Sequence, residues 1–531
     1  MPMPDPAPQT VETPDDDRAL AAALASPRAW PHAVDAPVRV VETHISRVYL
    51  TGPYAYKVKK PLRLPFLDYG TPERRRAYCE EELRLNRRTA PDLYLGVSAI
   101  AGTPGAPRVD GDGPAFEHAV RMRQFDPGDA LDALVDTGRV ATAEIAVLAR
   151  DIERFHAAAA RCPDGAPYGT PDEAGRIAAD NLADLAAAGV AATTTLASLH
   201  AGLDVEFARI RALLGTRRAA GRVRECHGDL HCGNVVRWQG RLVAFDGIEF
   251  DPALRWIDVA NDVAFLSMDL AERGRADLRR VLLQAWFDAG GDASAFDLLR
   301  YFEAGRALVR AKVAGLRARQ PGGGAVHRSA SECYVHWALS RLQRSRPPLL
   351  VTCGYSGSGK TWLAGRLAAA LDALHLRSDV ERKRLAGLGP LDDSRSPQDG
   401  GIYTVEFNNR TYERLGACAT SALSGGMPVV VDAACLRRDE RRALLAIADA
   451  IGAPAALLHC VAPEGVLRGR IAARAREGAD ASEAGLATLA RQPGYWEPFD
   501  PGEAGRVVVV DTTGPDPSGD ALTALAGAGI A

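Results

Sequence analysis

Eight residues constrain this chain more than any others: GYSGSGKT, Gly354 to Thr361. They fit G-x-x-x-x-G-K-[ST], follow the apolar run LLVTC and precede the amphipathic run WLAGRLAAAL. Gly354, Gly357 and Gly359, with Ser356 and Ser358 between them, let backbone N–H groups close around phosphate oxygens. Lys360 adds a point charge, and the Thr361 hydroxyl is a ligand for Mg²⁺. Such a loop works only between a strand and a helix, so its surroundings must form a parallel sheet with crossover helices. HLRSD, PVVVD, AALLHCV and RVVVVD supply the further strand candidates, separated by helical stretches. A Gly-rich turn with an incidental lysine is the competing reading, and the strand–loop–helix context argues against it.

Three features further on lean toward a kinase. Asp379 closes HLRSD and Arg382 follows in D-x-x-R spacing. The acid is placed to take a proton from an acceptor hydroxyl, and the arginine to hold the acceptor or its phosphate. Asp379 as the cap of the helix VERKRLAG is the alternative. Asp432 closes PVVVD, where a carboxylate helps hold Mg²⁺, unless it is a plain strand-terminal acid. LRGRIAARAREG carries Arg468, Arg470, Arg474 and Arg476. Arginines on a lid helix, here Arg470 and Arg474, close over a transferring phosphoryl group, although a solvated basic face explains the run as well. Residues 349–513 resemble the small P-loop kinases, a group with gluconate kinase, chloramphenicol phosphotransferase and phage polynucleotide kinase, the D-x-x-R being nearest the last. The resemblance implies phosphoryl transfer and leaves the acceptor open.

The first half carries HGDLHCGNVV, His227 to Val236. His227, His231 and Cys232 suggest zinc, but no fourth ligand follows at regular spacing. The phosphotransferase reading finds more support. In H-G-D-x-x-x-x-N, Asp229 orients the acceptor hydroxyl and Asn234 binds Mg²⁺, with a second metal acid expected at a strand end, where AFDG places Asp246. Upstream, AYKVKK offers Lys57 for the phosphates, two residues after Ala55; Lys59 lies on the same face. CEEEL then offers Glu80, Glu81 and Glu82 as the lysine's partner, with Glu82 preferred. FEHAVRMRQF is expected as the hinge strand, with backbone at Val120 to Met122 meeting adenine. Asp258 and Asp262, four apart, share a helix face and are expected to brace the site.

This set resembles the aminoglycoside phosphotransferase-like branch of the protein-kinase fold. ETHISRVYLTGPYAYKVKKP, FLDYGTPERRRAYCEEELRLNRRTAPDLYLGV and FDGIEFDPALRWIDVANDVAFL are similar to a bacterial two-domain family usually labelled "bifunctional aminoglycoside phosphotransferase/ATP-binding protein". The resemblance runs from Val38 through almost the whole chain. One departure stands out: the Gly-rich loop is replaced by ETHIS, leaving phosphate contacts to Ser46 or to backbone groups.

The expected architecture is therefore an α+β, bilobal, protein-kinase-like domain over residues 36–344, then an α/β P-loop kinase domain with a parallel sheet over 349–531. Residues 1–35 are expected as an N-terminal extension, disordered over 1–17, with 319–325 as a surface loop and 345–348 as a linker. Nine scattered cysteines without C-x-x-C suggest reduced thiols. The acidic, Pro-rich start is unlike a signal peptide, no apolar run spans a membrane, and the cytoplasm is expected. A net charge of −3 argues against bulk nucleic-acid binding. Basic patches at Arg74 to Arg76, Arg382 to Arg384 and Arg437 to Arg442 keep a polynucleotide or protein acceptor as an alternative. The first expectation is an ATP- and Mg²⁺-dependent kinase with two nucleotide sites and a small-molecule acceptor. Another makes one domain a regulatory switch. Arg300, Arg306, Arg310, Arg317 and Arg319 point to an anionic or phosphorylated acceptor.

Overall fold

A computed structural model describes residues 15–530 apart from 35–36, 65–66, 320–323, 344–345, 398–399 and 478–479. The loop expected at 319–325 and the linker at 345–348 fall partly outside the described residues. The chain forms two compact units, Met1–Arg176 with Ala212–Asp269, and Ile177–Arg211 with Leu270–Ala531.

The described part of the first unit begins with helix α1 (Asp15–Leu24). The expected disordered extension is thus corrected from Asp15 onward, because this segment has partners to bury against. Leu20, Leu24 and Trp30 pack with Tyr49, Tyr56 and Val58, and buried Asp17 takes two bonds from Arg47 at 2.9 and 2.8 Å. Next come β1 (Arg39–Glu42), β2 (Ser46–Leu50), β3 (Tyr54–Lys59), the short pair β4 (Arg63–Leu64) and β5 (Leu67–Asp68), and α2 (Pro72–Asn86). Thr71 caps α2 by accepting from Arg74 N, and Pro72 at the first helical position loses no hydrogen bond there. Strands β6 (Tyr94–Thr103), β7 (Ala106–Val109) and β8 (Ala115–Arg123) complete an antiparallel sheet of order β1-β2-β3-β8-β6-β7.

Helices then dominate: α3 (Leu131–Asp136), α4 (Thr142–Ala158), α5 (Pro171–Ala188) and α6 (Thr193–Ala219). Short strands follow, β9 (Val223–Glu225) and the hairpin β10 (Val235–Trp238) and β11 (Arg241–Ala244). After α7 (Pro252–Arg255), β12 (Trp256–Asp258) pairs back onto β9, and α8 (Val259–Glu272) begins. A sheet followed by helices, with the functional loop between β9 and β10, is the α+β protein-kinase-like architecture expected from the sequence.

The second unit contains α9 (Ala276–Gly290), α10 (Phe296–Ala318) and α11 (Gly324–Leu342), and then the alternating segment. That segment runs β13 (Leu349–Cys353), α12 (Lys360–Ala370), β14 (Leu374–Arg377), α13 (Ser378–Leu385), α14 (Val405–Ser424) and β15 (Val429–Asp432). It continues through α15 (Arg438–Ile451), β16 (Ala455–Val461), α16 (Glu464–Glu477), α17 (Leu486–Arg491), α18 (Pro501–Ala504), β17 (Val507–Asp511) and α19 (Pro517–Gly527). The sheet is parallel throughout, in the order β14-β15-β13-β16-β17. Both faces are covered, so β13 and β15 are buried along their length and mostly apolar. Leu350, Val430 and Leu458 pack beneath Leu363 and Leu367 of α12 and Leu525 of α19.

Helix α9 closes one edge of this sheet. Gln284 accepts from His375 N at 2.8 Å and donates to His375 O at 3.2 Å, satisfying a strand that would otherwise expose its backbone. The arginines of α10 hold helices together. Arg300 is buried 3.9 Å from Glu206, Arg310 lies over the Tyr334 ring, and Arg319 donates to Ala187 O. These three arginines therefore make contacts among the helices of this unit. Among the described residues no helix is long and apolar enough to cross a membrane.

Candidate functional site

In the first unit, the loop from His227 is held from beneath by one carboxylate. Asp262, fully buried in the first turn of α8, accepts from His227 N (3.1 Å), Gly228 N (2.9 Å) and His156 Nε2 (3.0 Å). Burial opposes its charge, but His156 and His227 outweigh that and hold its pKa at about 2. Gly228 has φ +85°, and a Cβ there would meet Leu254 O at 2.7 Å, so only glycine fits. His227 Nε2 lies 2.9 Å from Phe245 O, tying the loop to the residue before Asp246. Asp258 takes both Nε and Nη2 of Arg217, as a brace.

At the top of the loop Asn234 Nδ2 donates to Asp229 Oδ2 (2.8 Å) and to Asp229 O (2.9 Å), so the two residues lie side by side. His231 Nδ1 accepts from Gly233 N, and Cys232 is buried with its N–H on Asp269. His227, His231 and Cys232 form no metal-ligand group. Among the described residues the group with such spacing is His156, Cys226 and Asp262, whose Asp oxygens the loop already occupies.

The sheet brings a lysine to the same place. Lys57 Nζ lies 2.9 Å from Glu82 Oε1 and also contacts Asp246 Oδ1. Lys59 Nζ lies 2.7 Å from Glu82 Oε2 and contacts Glu249, which accepts from Tyr69 OH. Burial disfavours the charge of Lys57, yet Asp246 and Glu82 raise its pKa well above the usual lysine range. Glu82 is itself held at about 2 despite burial, by Lys57 and Lys59. Lys57 is thus the one of the pair that reaches Asp246. Glu80 and Glu81 instead pair with Arg76 and Arg84 on the helix surface. Asp246 has φ 61°, unusual for a residue with a Cβ, and its N–H bonds the Tyr94 hydroxyl.

Two expected nucleotide contacts are corrected. Met122 lies inside the ladder, paired with Ala55 on one side and Tyr94 on the other, so its backbone is not on offer. The linker is Gln124 to Pro127, which with Arg39 lines an open groove of about 490 Å³. Ser46 is fully buried and its N–H bonds the Thr43 hydroxyl. Beside the groove, Val48, Leu50, Ala55 and Met122 pack in one apolar cluster with Phe125, Val243 and Phe245.

In the second unit one cavity of about 790 Å³ joins the phosphate loop to the ends of β14 and β15. Gly354, Gly357 and Gly359 have φ of 138, 81 and 86°. A Cβ on Gly357 would meet Leu467 O at 2.6 Å. Lys360 donates to Tyr355 O at 2.8 Å, and burial lowers its pKa against the pull of Asp432. Asp432 is buried; its pKa is lowered despite burial by His375, 3.4 Å away, by a hydrogen bond from Thr361 and by Lys360. Asp432, Thr361 and the buried, unbonded Ser358 hydroxyl offer hard oxygen ligands beside a cationic lysine, a set that suits Mg²⁺ with a triphosphate.

Asp379 and Arg382 line the same cavity. The strand ends at Arg377, so Asp379 neither closes it nor caps the helix as expected: it sits in the first turn of α13, whose cap is Arg377. Arg382 donates to Ile402 O (3.2 Å) and Asn408 Oδ1 (3.0 Å), with its guanidinium over the Tyr403 ring. Of the lid arginines, Arg470 is pinned to Thr512 and Gly357 O, and Arg474 bonds Ala484 O; both line the cavity. Arg468 pairs with Glu464 at the surface. Sequence reasoning missed Asn408, Tyr403 and Gln492, which lie in irregular or helical stretches without motif spacing, and singled out Arg437 only as part of a basic patch. Gln492 accepts from Ser356 N at 2.7 Å, holding the phosphate loop.

The basic patches are largely paired: Arg75 with Glu117, Arg76 with Glu80, Arg384 with Glu381, Arg441 with Glu503 and Arg442 with Asp500.

A family model described as an AAA domain matches residues 349–499. An uncharacterized protein of Mycobacterium tuberculosis is 29% identical over 477 residues, covering 87% of this chain and 91% of its own. Among solved structures, a gluconokinase from Sinorhizobium meliloti is 26% identical over 34% of this chain and 94% of its own, with a TM-score of 0.26. A choline/ethanolamine kinase family protein from Mesorhizobium loti is 14% identical over 62% of this chain and 95% of its own, with a TM-score of 0.38.

Proposed function

We propose that the protein is an ATP-dependent phosphotransferase with two nucleotide sites, acting on the hydroxyl of a small molecule. The observation that carries this reading is the single cavity in which Lys360 and Thr361 share walls with Asp379 and Arg382. A donor site and an acceptor site that open into each other suit transfer, whereas a switch needs only the first.

In the second unit, Lys360 and phosphate-loop backbone N–H groups such as those of Gly357 and Gly359 bind the phosphates, and Asp379 takes the acceptor proton. Thr361 and Asp432 would hold Mg²⁺, which when bound neutralises charge on the phosphate oxygens. In the first unit, Lys57, set by Glu82, would meet the phosphates, Asp229 would orient an acceptor hydroxyl, and Asn234 and Asp246 would hold Mg²⁺. The Asn234–Asp229 and Lys57–Asp246 contacts support that assignment.

A second reading leaves transfer to the P-loop alone and makes the first unit a nucleotide-binding regulator. The burial of Ser46 and a β1–β2 turn without glycine favour it.

The test is phosphoryl transfer from γ-labelled ATP by wild type, Asp229→Ala and Lys360→Ala, across sugars, sugar phosphates, nucleosides, an aminoglycoside and a 5′-hydroxyl oligonucleotide. A product lost in only one variant assigns its chemistry to that unit. ATP turnover that disappears entirely with Lys360→Ala and is untouched by Asp229→Ala removes the two-site reading. No turnover in wild type removes both.

A further inference from the structure

We infer that the acceptor at the P-loop cavity carries an anionic group, a carboxylate or a phosphate monoester, held by Arg382 and Arg437. This deepens the phosphotransferase reading of the second unit and rests on it.

The argument is a charge balance inside one cavity. Arg377 and Arg474 share Asp480, at 2.6 and 3.9 Å. Lys360 has Asp432, and Arg470 is fixed at Thr512 beside the phosphate loop. Arg382 and Arg437 remain. Arg382 is 8% exposed, bonds only neutral oxygens, Ile402 O and Asn408 Oδ1, and its buried Nε has no partner. Arg437 lies 6.0 Å from the centroid of the Tyr495 ring, as Arg382 lies 5.2 Å from that of Tyr403. Among the described residues neither guanidinium has a carboxylate at ion-pair distance.

The nearby acid does not fill that role. Glu440 spends Oε1 on Asn408 Nδ2 (3.0 Å) and Oε2 on Arg437 N (3.2 Å), and burial pushes its pKa up. A buried guanidinium with no carboxylate at ion-pair distance is costly, and a neutral acceptor would leave Arg382 and Arg437 in that state. An anion on the acceptor supplies what the protein withholds, and the planar arginine fork suits carboxylate and phosphate alike. The acceptor hydroxyl then faces Asp379. Its oxygen forms the new bond to the γ-phosphorus, its proton passes to Asp379, and the bond from that phosphorus to the β-bridging oxygen breaks, with the electron pair leaving on ADP. The cavity volume, shared with the triphosphate, matches a small molecule rather than a polymer.

The experiment is calorimetric titration of the full chain saturated with Mg²⁺ and the non-hydrolysable analogue AMPPNP. The probes are inorganic phosphate, D-glycerate, glycerol and a 5′-hydroxyl oligonucleotide. Phosphate or glycerate should bind and glycerol should not; which anion binds tells phosphate monoester from carboxylate. Arg437→Gln should weaken the anion at least about tenfold, with partial recovery in Arg437→Lys. Arg382→Gln should do the same, and the less buried Arg437 keeps the test valid if that variant does not fold. Equal binding of glycerol and glycerate, an unchanged anion affinity in Arg437→Gln, or no anion binding overturns the inference. So does an oligonucleotide that binds more tightly than phosphate through Arg437. If AMPPNP itself does not bind in a Lys360-dependent way, the underlying phosphotransferase reading fails first and takes the inference with it.

Discussion

Lys59 Nζ lies 2.7 Å from Glu82 Oε2, while the other oxygen of that carboxylate lies 2.9 Å from Lys57. Two lysines of one strand face thus divide one glutamate. What separates them is the second partner: Asp246, in the candidate site, for Lys57, and Glu249, in the interior, for Lys59.

Their removal should therefore have different consequences. Lys59→Met leaves Glu82 and Glu249 buried with one cation fewer, and should cost about 3–5 kcal/mol of stability. Lys57→Met should leave the unit folded, because Asp246 is part-exposed to water, while abolishing phosphoryl transfer at that site. Thermal unfolding and labelled-ATP assays on both variants check this; equal losses of stability would contradict it.

Asp262 makes a pH prediction. Its folded pKa of about 2 lies below its ordinary 3.8, so its stabilisation is present above about pH 4 and is lost as pH falls toward 2. The shift corresponds to roughly 2 kcal/mol. Asp262→Asn should lower stability at neutral pH by about that amount or more and flatten the acid limb of the curve, read from urea midpoints across pH 2 to 7.

Gly357 tests the phosphate loop. With φ 81° and Leu467 O 2.6 Å from any Cβ, Gly357→Ala must shift the backbone whose N–H groups meet phosphate. AMPPNP affinity at the Lys360-dependent site should fall at least about tenfold with a drop in melting temperature of several degrees.

Asp379→Asn separates chemistry from binding. An amide keeps the shape but cannot take a proton, so turnover at the P-loop should fall roughly 10²–10⁴-fold. AMPPNP affinity should stay within about twofold, since Asp379 is assigned to the acceptor side. A parallel loss of both would make it a nucleotide ligand.

The phosphate loop, the five strands of the parallel sheet and the HGD…N loop were legible in the sequence because each is local: glycine spacing, apolar runs and a short motif specify them within ten residues. Glu82 was legible only as one of three adjacent acids, since helix position, and not residue type, turns it toward Lys57. The N-terminal helix was misread because its acidic, Pro-rich lead-in hides Leu20 and Leu24, whose partners lie in the sheet. For a related reason composition shows the arginines of α10 but not that Arg300 lies by Glu206 and Arg310 over Tyr334.

The sequence by itself determined the two fold classes, the phosphate loop and the loop that carries Asp229 and Asn234, all fixed by short-range backbone geometry and periodicity. Only the tertiary structure decided that Lys57 rather than Lys59 reaches Asp246, that the linker begins after Arg123, and that Arg382 and Arg437 enter one cavity with no carboxylate at ion-pair distance. Those outcomes depend on contacts between residues far apart in the chain, where burial and the nearest opposite charge set each side chain's role and no local pattern records them.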